Sequence, residues 1–363
     1  MKKAIRIFIF LIAAVLVLSC VACDKEPAKP SGEATGKKKI TLVVQQLGDM
    51  AYNDDAWRGV EEVAKKYGYE AKALEVGADQ SKYGSMILDV AEAGTDYILT
   101  ATSIMDYAFE YAPRFPDIKF IAFDTTATVE VSDPNIACIS YLQNEGSFLA
   151  GMAAAGASKT GVIACVGGVN TSPIIHDFIA GYVDGALYQN PDIKVLTAYS
   201  SVYGDAAQMK EIATAQANSG ADVIFQIGGP GGLGVFQACM EKNIWAVGVD
   251  SDQRAVYKES ENPELADVIM TSMLKKVGES LIWTFDKIED GSMKWGEVVI
   301  LGVAEDSTGI VEGDLYEANV PKEVRDNIEK AKEDIKNGTI KVKTYFEMTH
   351  EQFEEFIQDA SKP

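Results

Sequence analysis

From Ile40 onward the chain alternates between short, almost wholly apolar runs and longer segments whose apolar residues recur every three to four positions. Ile40-Thr-Leu-Val-Val leads to the helical-period segment Ala56 to Tyr67, and Tyr97-Ile-Leu-Thr leads to Met105 to Ala112. Phe120-Ile-Ala-Phe is the next such run. Apolar runs without inside/outside alternation suit strands buried on both faces. Interleaved with helices, they predict an α/β fold with parallel sheets.

The pattern also repeats. Gly94-Thr-Asp96-Tyr-Ile98 has a counterpart in Gly220-Ala-Asp222-Val-Ile224, and the apolar run ending at Asp124 has one ending at Asp250. Both pairs are offset by 126 residues (220 − 94 and 250 − 124). Two copies of one half predict two Rossmann-like lobes joined by three hinge crossings. The expected division is 40–144 with 253–302 for lobe one and 145–252 with 303–343 for lobe two. A C-terminal helix and strand lie within 320–343, and 344–363 reads as an acidic, helix-like extension. Ligands of open α/β sheets bind beyond the carboxyl ends of the strands. Asp124 and Asp250 would therefore face one another across a cleft.

The N-terminus follows a different pattern. Lys2, Lys3 and Arg6 precede an apolar run, Ile7 to Leu18, too short to span a bilayer but suited to a signal-peptide core. Ser19 before Cys20 reads as a lipoprotein processing site, with Cys23 the competing position. Residues 1–19 are thus the expected signal peptide. Residues 20–39, rich in Lys, Pro and Gly, are the expected lipid-anchored linker to the outer face of a membrane.

Net charge is −21. That acidity argues against a nucleic-acid partner, which needs clustered Lys and Arg. Cys138, Cys165 and Cys239 show neither a disulfide framework nor zinc spacing. With two histidines in the whole chain and no hydrolase or P-loop motif, the sequence points away from an enzyme and requires no metal or cofactor. Gly229-Pro-Gly231-Gly-Leu-Gly234 does fit G-x-G-x-x-G, the dinucleotide fingerprint. Its position in the second lobe of an exported chain opposes a nicotinamide cofactor. Its physics survives, since glycines let backbone N–H groups approach a ligand and an acid can grip a ribose diol.

Beyond the first strand, Asp49-Met-Ala-Tyr52-Asn53-Asp-Asp55-Ala-Trp57 places an aromatic in the first turns of a helix, either core or a stacking platform. Tyr199-Ser-Ser-Val-Tyr203-Gly-Asp205 does the same in the second half. These segments occur in order with Glu145-Gly-Ser-Phe-Leu-Ala-Gly151, Val166-Gly-Gly, Gly181-Tyr, Gly-Val-Asp250-Ser-Asp-Gln253 and Thr-Ser272-Met-Leu-Lys275. Together they resemble the basic membrane protein family of lipoproteins over about Ile40 to Lys343. Its best-understood members are purine nucleoside receptors that feed ABC importers. The resemblance implies a type I periplasmic-binding-protein-like fold, a nucleoside ligand and an ABC transporter permease as partner. It further implies that Trp57 and Tyr203 stack on the base, that Asp49, Asn53 and Asp124 bond its edge, and that Gly228, Gly229, Asp250 and Lys275 hold the ribose. One departure stands out: Ala51 replaces the serine of the family's Asp-x-Ser-Phe-Asn. A sugar-type receptor or sensor of the same fold is the alternative reading.

Overall fold

In the computed structural model, residues 36–362 are described, apart from 78, 102 and 103. The expected signal segment, Cys20 and most of the linker lie outside the described residues. The first half runs β1 (Lys39–Val44), α1 (Tyr52–Tyr67), β2 (Glu70–Glu75), α2 (Tyr83–Glu92), β3 (Tyr97–Ala101), α3 (Met105–Tyr111), β4 (Lys119–Thr125) and β5 (Ile136–Tyr141). The second runs α4 (Gln143–Ala157), β6 (Val162–Val169), α5 (Pro173–Gln189), β7 (Lys194–Ser200), α6 (Ala206–Asn218), β8 (Val223–Ile227), α7 (Gly232–Lys242), β9 (Trp245–Gly248), α8 (Gln253–Lys258) and β10 (Ile269–Lys275). Then follow α9 (Val277–Glu289), β11 (Val298–Leu301), β12 (Thr308–Ile310), α10 (Asp314–Asn319), α11 (Lys322–Lys336) and α12 (His350–Ala360).

Two six-stranded sheets result, ordered β11-β5-β4-β3-β1-β2 and β12-β10-β9-β8-β6-β7. The orders match strand for strand, with β6 to β10 standing where β1 to β5 stand in the first. The central strands are buried on both sides, as their unbroken apolar runs require. Sheet one is parallel throughout, and only the short edge strand β12 runs antiparallel, against β10. No strand follows α11 among the described residues. The extended backbone there is held instead by the Asn144 side-chain amide, which donates to Val342 O (3.4 Å) and Lys343 O (3.3 Å).

The chain crosses between lobes after β5, after β10 and after β11. The second crossing corrects the boundary expected near Asp252. β10 pairs with β9 in sheet two, so residues 253–275 belong to lobe two, and the chain returns to lobe one only with α9, which packs on α1. The crossings lie side by side: Leu142 N–H donates to Leu301 O (2.9 Å), and Lys276 N–H to Ser307 O (2.9 Å).

The tail is also no mere extension. Thr349 and Gln352 form a capping box that starts α12, whose Phe353, Ile357 and Ala360 enter the main apolar cluster of lobe two. Asp177, at the start of α5, accepts bonds from the Thr344 hydroxyl (2.6 Å) and Tyr345 N–H (2.9 Å).

Helices α4 and α5 pack backbone to backbone. A Cβ on Gly185 would lie 1.9 Å from Phe148 O, and one on Gly181 would lie 2.1 Å from Asn144 O. The Gly-x-x-x-x-Gly151 and Gly181-Tyr motifs are thus packing motifs. Gly185→Ala should cost about 1–3 kcal/mol through enforced separation of the two helices. A lowered midpoint in urea unfolding would register it, and an unchanged midpoint would show that the seam has slack.

Candidate functional site

The loop between β1 and α1 is built by carboxylates. Asp49, buried, accepts the N–H groups of Ala51 (3.1 Å), Asn53 (2.9 Å) and Asp54 (3.2 Å). Asp54 in turn accepts from Gly48 N–H (2.7 Å) and Met50 N–H (2.8 Å). Acidic groups at the start of α1 suit its unpaired N–H groups and dipole. Burial pushes the Asp49 carboxyl upward, and the three donors pull it back. Both its oxygens are already engaged, so the structure gives Asp49 a loop-building role beside the base contact expected of it. Asn53 sits half-buried in the first turn.

The two strand-end carboxylates are equivalent in backbone as well as in position. Asp124 has φ +62° and Asp250 has φ +65°, a left-handed conformation that aspartate tolerates better than most residues. Between them lies Lys275, the last residue of β10, with its side chain 2% exposed. Its Nζ donates to Asp124 Oδ1 at 2.9 Å and stands 3.9 Å from Asp250 Oδ1. The hydrogen-bonded ion pair of Lys275 is therefore with Asp124 rather than with Asp250, beside which the resemblance sets it. Asp250 Oδ1 is buried with no protein hydrogen-bond partner. Burial, opposed by Lys275 and reinforced by the charges of Asp124, Asp49 and Asp55, pushes its carboxyl up to about 7.

Aromatic side chains complete the cluster. The ring of Tyr52 lies 4.8 Å from Lys275 Nζ and 5.9 Å from Phe123. Burial raises its phenol well above the usual value, with Asp124 the next cause. Trp57 packs half-buried against the apolar cluster of lobe one, further along α1. The aromatic of this segment that lies against the ion pair is thus Tyr52 rather than Trp57, although both stand in the same motif. Tyr203, 42% exposed, lays its ring over Gly168, whose Cβ position lies 2.2 Å from that ring. Desolvation raises its phenol too, and the charges of Asp124 and Asp250 add to the rise.

The glycine segment opens α7. Gly228 N–H donates to Gln226 Oε1 (3.1 Å), and its Cα hydrogens face Met209, leaving no room for a side chain. Gly229, at φ +55°, borders open space. Gln226 Nε2 donates to Gln253 Oε1 (2.6 Å), which also accepts Val249 N–H (2.9 Å). One glutamine pair therefore sets both the glycine turn and the strand end that carries Asp250. The signal for it was Gln253 in the Gly-Val-Asp250-Ser-Asp-Gln253 motif.

The lobes touch at this edge. Ser251 Oγ and Gln253 Nε2, from lobe two, donate to Met50 O in lobe one at 3.4 and 3.5 Å. Cavities of about 100 and 240 Å3 lie elsewhere, and neither is lined by Asp124, Asp250 or Lys275. Among the described residues no group of acids, histidines and cysteines could hold a metal ion.

Residues 37–345 match the family model described as ABC transporter substrate-binding protein PnrA-like. The chain belongs to this family. Among PnrA-like relatives, the ABC transporter nucleoside-binding protein BmpA of Lactococcus lactis subsp. cremoris is 30% identical, across 94% of this chain and 99% of that protein. Basic membrane protein A of Borreliella burgdorferi is 28% identical, across 88% of this chain and 91% of its own. A solute-binding protein of an ABC transporter system from Aeropyrum pernix K1 superposes with a TM-score of 0.78 at 20% identity, covering 90% of this chain and 98% of that one. The arabinose-binding protein AraP of Geobacillus stearothermophilus shares the fold more distantly, with a TM-score of 0.59 at 16% identity. As a PnrA-like protein, the chain is the extracytoplasmic substrate-binding component of an ABC transporter. No helix among the described residues is long and apolar enough to cross a membrane. The whole of α12 lies beyond the stretch matched by the PnrA-like model.

Proposed function

We propose that the inter-lobe cleft binds a nucleoside, with purines favoured, and presents it to the permease of an ABC importer, while a lipid on Cys20 tethers the protein to the membrane surface. One observation carries the reading. Asp124 and Asp250 converge from equivalent strand ends of the two lobes, Lys275 is taken by Asp124, and Asp250 keeps a buried oxygen with no protein donor. A ribose diol supplies two donors for that oxygen in charge-assisted bonds. Gly229 leaves room for the sugar, while Trp57, Tyr52 and Tyr203 offer flat faces to a base. The nucleoside-binding relative from Lactococcus lactis supports the same ligand class.

Calorimetry on protein unfolded, dialysed and refolded tests it, with adenosine, guanosine, uridine and free D-ribose as titrants. The purine nucleosides should bind, and ribose alone should not. Trp57→Ala and Tyr203→Ala should each weaken binding by about 1–3 kcal/mol, the worth of one base–aromatic stack. Ribose binding without nucleoside binding would replace this reading with a sugar-type receptor.

For the anchor, Cys20→Ala should end incorporation of labelled palmitate and leave precursor or released protein. Label persisting in that variant would move the lipid to Cys23.

A further inference from the structure

The surroundings of Lys275 hold more than an ion pair. An ammonium has three donors, and burial has taken its water away. Here one donor meets Asp124, and three rings stand around the rest: Tyr52 at 4.8 Å, Phe178 at 4.9 Å and Tyr141 at 5.7 Å from Nζ to ring centroid. Aromatic faces carry negative potential and replace part of the lost hydration. The Tyr141 hydroxyl bonds Ser280 Oγ at 2.5 Å, which fixes that ring in lobe one.

The owners of these groups matter. Tyr52, Tyr141 and Asp124 belong to lobe one; Phe178, on the second turn of α5, belongs to lobe two with Lys275 and Asp250. The cage is complete only while the lobes meet. If they hinge apart, two rings and the ion-pair partner leave together. Lys275 then keeps Phe178 and has Asp250, now 3.9 Å away, as the carboxylate of its own lobe.

We propose that this cage is an inter-lobe latch, and that Phe178 is the positioning residue that aims Lys275 across the cleft at Asp124 and away from Asp250. Phe178 walls one side of the ammonium from within its own lobe, so the side chain reaches forward into lobe one. Asp250 is thereby left free to accept ligand hydroxyls only when the cleft is shut. Closure and exposure of the acceptor become one event, and binding of a two-lobed ligand draws on a state that the protein itself stabilises. The latch concerns the same cleft as the nucleoside reading, but its own readouts need no ligand.

Spin labels on Glu110 of α3 and Glu211 of α6, both exposed, report the populations of open and closed lobes in ligand-stripped protein. Asp124→Asn should remove most of the closed population. Phe178→Leu should lower the closed-to-open ratio, because a Lys275 no longer held toward Asp124 makes less of the contact that only the closed state offers, and Phe178→Tyr should restore it. Carbon-13 titration of the Asp250 carboxyl supplies the second readout. In Phe178→Leu its midpoint should fall below that of the unmodified protein as Lys275 turns back to Asp250, and Phe178→Tyr should return it. If Phe178→Leu lowers only the melting temperature, moving neither lobe populations nor the midpoint, the residue is plain core. Phe178→Met serves the same comparison if the leucine variant fails to fold. An Asp124→Asn protein as closed as the parent, or a parent with no closed population, overturns the latch. Nucleosides failing to bind while the populations shift as stated would remove the ligand reading alone.

Discussion

Lys275→Met should abolish ligand binding and destabilise the protein by about 3–5 kcal/mol, the usual consequence of removing one partner from a buried ion pair. Lys275 is the cation within reach of both Asp124 and Asp250, and its side chain and theirs are 2%, 4% and 11% exposed. Without it, two carboxylates face each other in a desolvated site, and at least one must take up a proton. Methionine fits the aromatic cage, so the loss is electrostatic rather than steric. The control is the double variant Lys275→Met/Asp124→Asn, which removes both charges. It should regain most of the stability, measured by urea unfolding, and none of the affinity. If the single variant unfolds at the parent's midpoint, the pair is solvated in solution and the cluster is not the centre described here.

The second large effect is on pH. Asp250 has its carboxyl raised from 3.8 to about 7, chiefly by burial. Between those values the folded protein holds a proton that the unfolded chain has released. This group therefore favours folding increasingly as pH falls through the window, and opposes it fully above about 7. Ligand binding should run the other way, because accepting two hydroxyl protons requires the ionised form. Nucleoside affinity should fall by about tenfold per pH unit below the carboxyl's midpoint, and level off above it. Asp250→Asn should cost roughly a hundredfold in affinity at pH 8, the worth of hydrogen bonds to a charged group, and should flatten the profile. Calorimetry at several pH values reads both. A sloped profile surviving in Asp250→Asn would assign the titration to another group, with Asp177, raised to about 6 by burial, the next to test.

Much of this architecture was legible because both halves of the chain obey the same local rule. Short β-rich apolar runs without alternation, interleaved with helical-period segments, suit strands covered on two faces, and the matched endings at Asp124 and Asp250 placed both acids at one edge. The boundary at Asp252 failed for a physical reason. The visible repeat stops at Asp250, whereas membership of β10 in sheet two is decided by pairing with β9, a non-local contact that no run of residues displays. The same limit applies to Lys275. The family resemblance grouped it with Asp250 around the ribose, but an ion pair to Asp124 needs the relative placement of the lobes. Trp57 drew attention by its place in the first turns of α1, yet it is Tyr52, at the start of that helix, whose ring lies against the ammonium. The tail was read as helix from its pattern; that Asp177 and the apolar cluster of lobe two receive it could not be seen, because the partners lie far apart in sequence.

The order of strands has a consequence for how the protein is made. Sheet one lacks its edge until β11 emerges, and α1 lacks its cover until α9 does. Sheet two waits for β12, and its main apolar cluster for Phe353 and Ile357. A nascent chain thus remains unfinished in both lobes through most of its synthesis, with apolar strand faces uncovered. Folding has to be gathered late, around contacts of long sequence separation, which makes it slow and vulnerable to aggregation. That delay leaves the chain in an open, unpacked form for as long as its synthesis lasts.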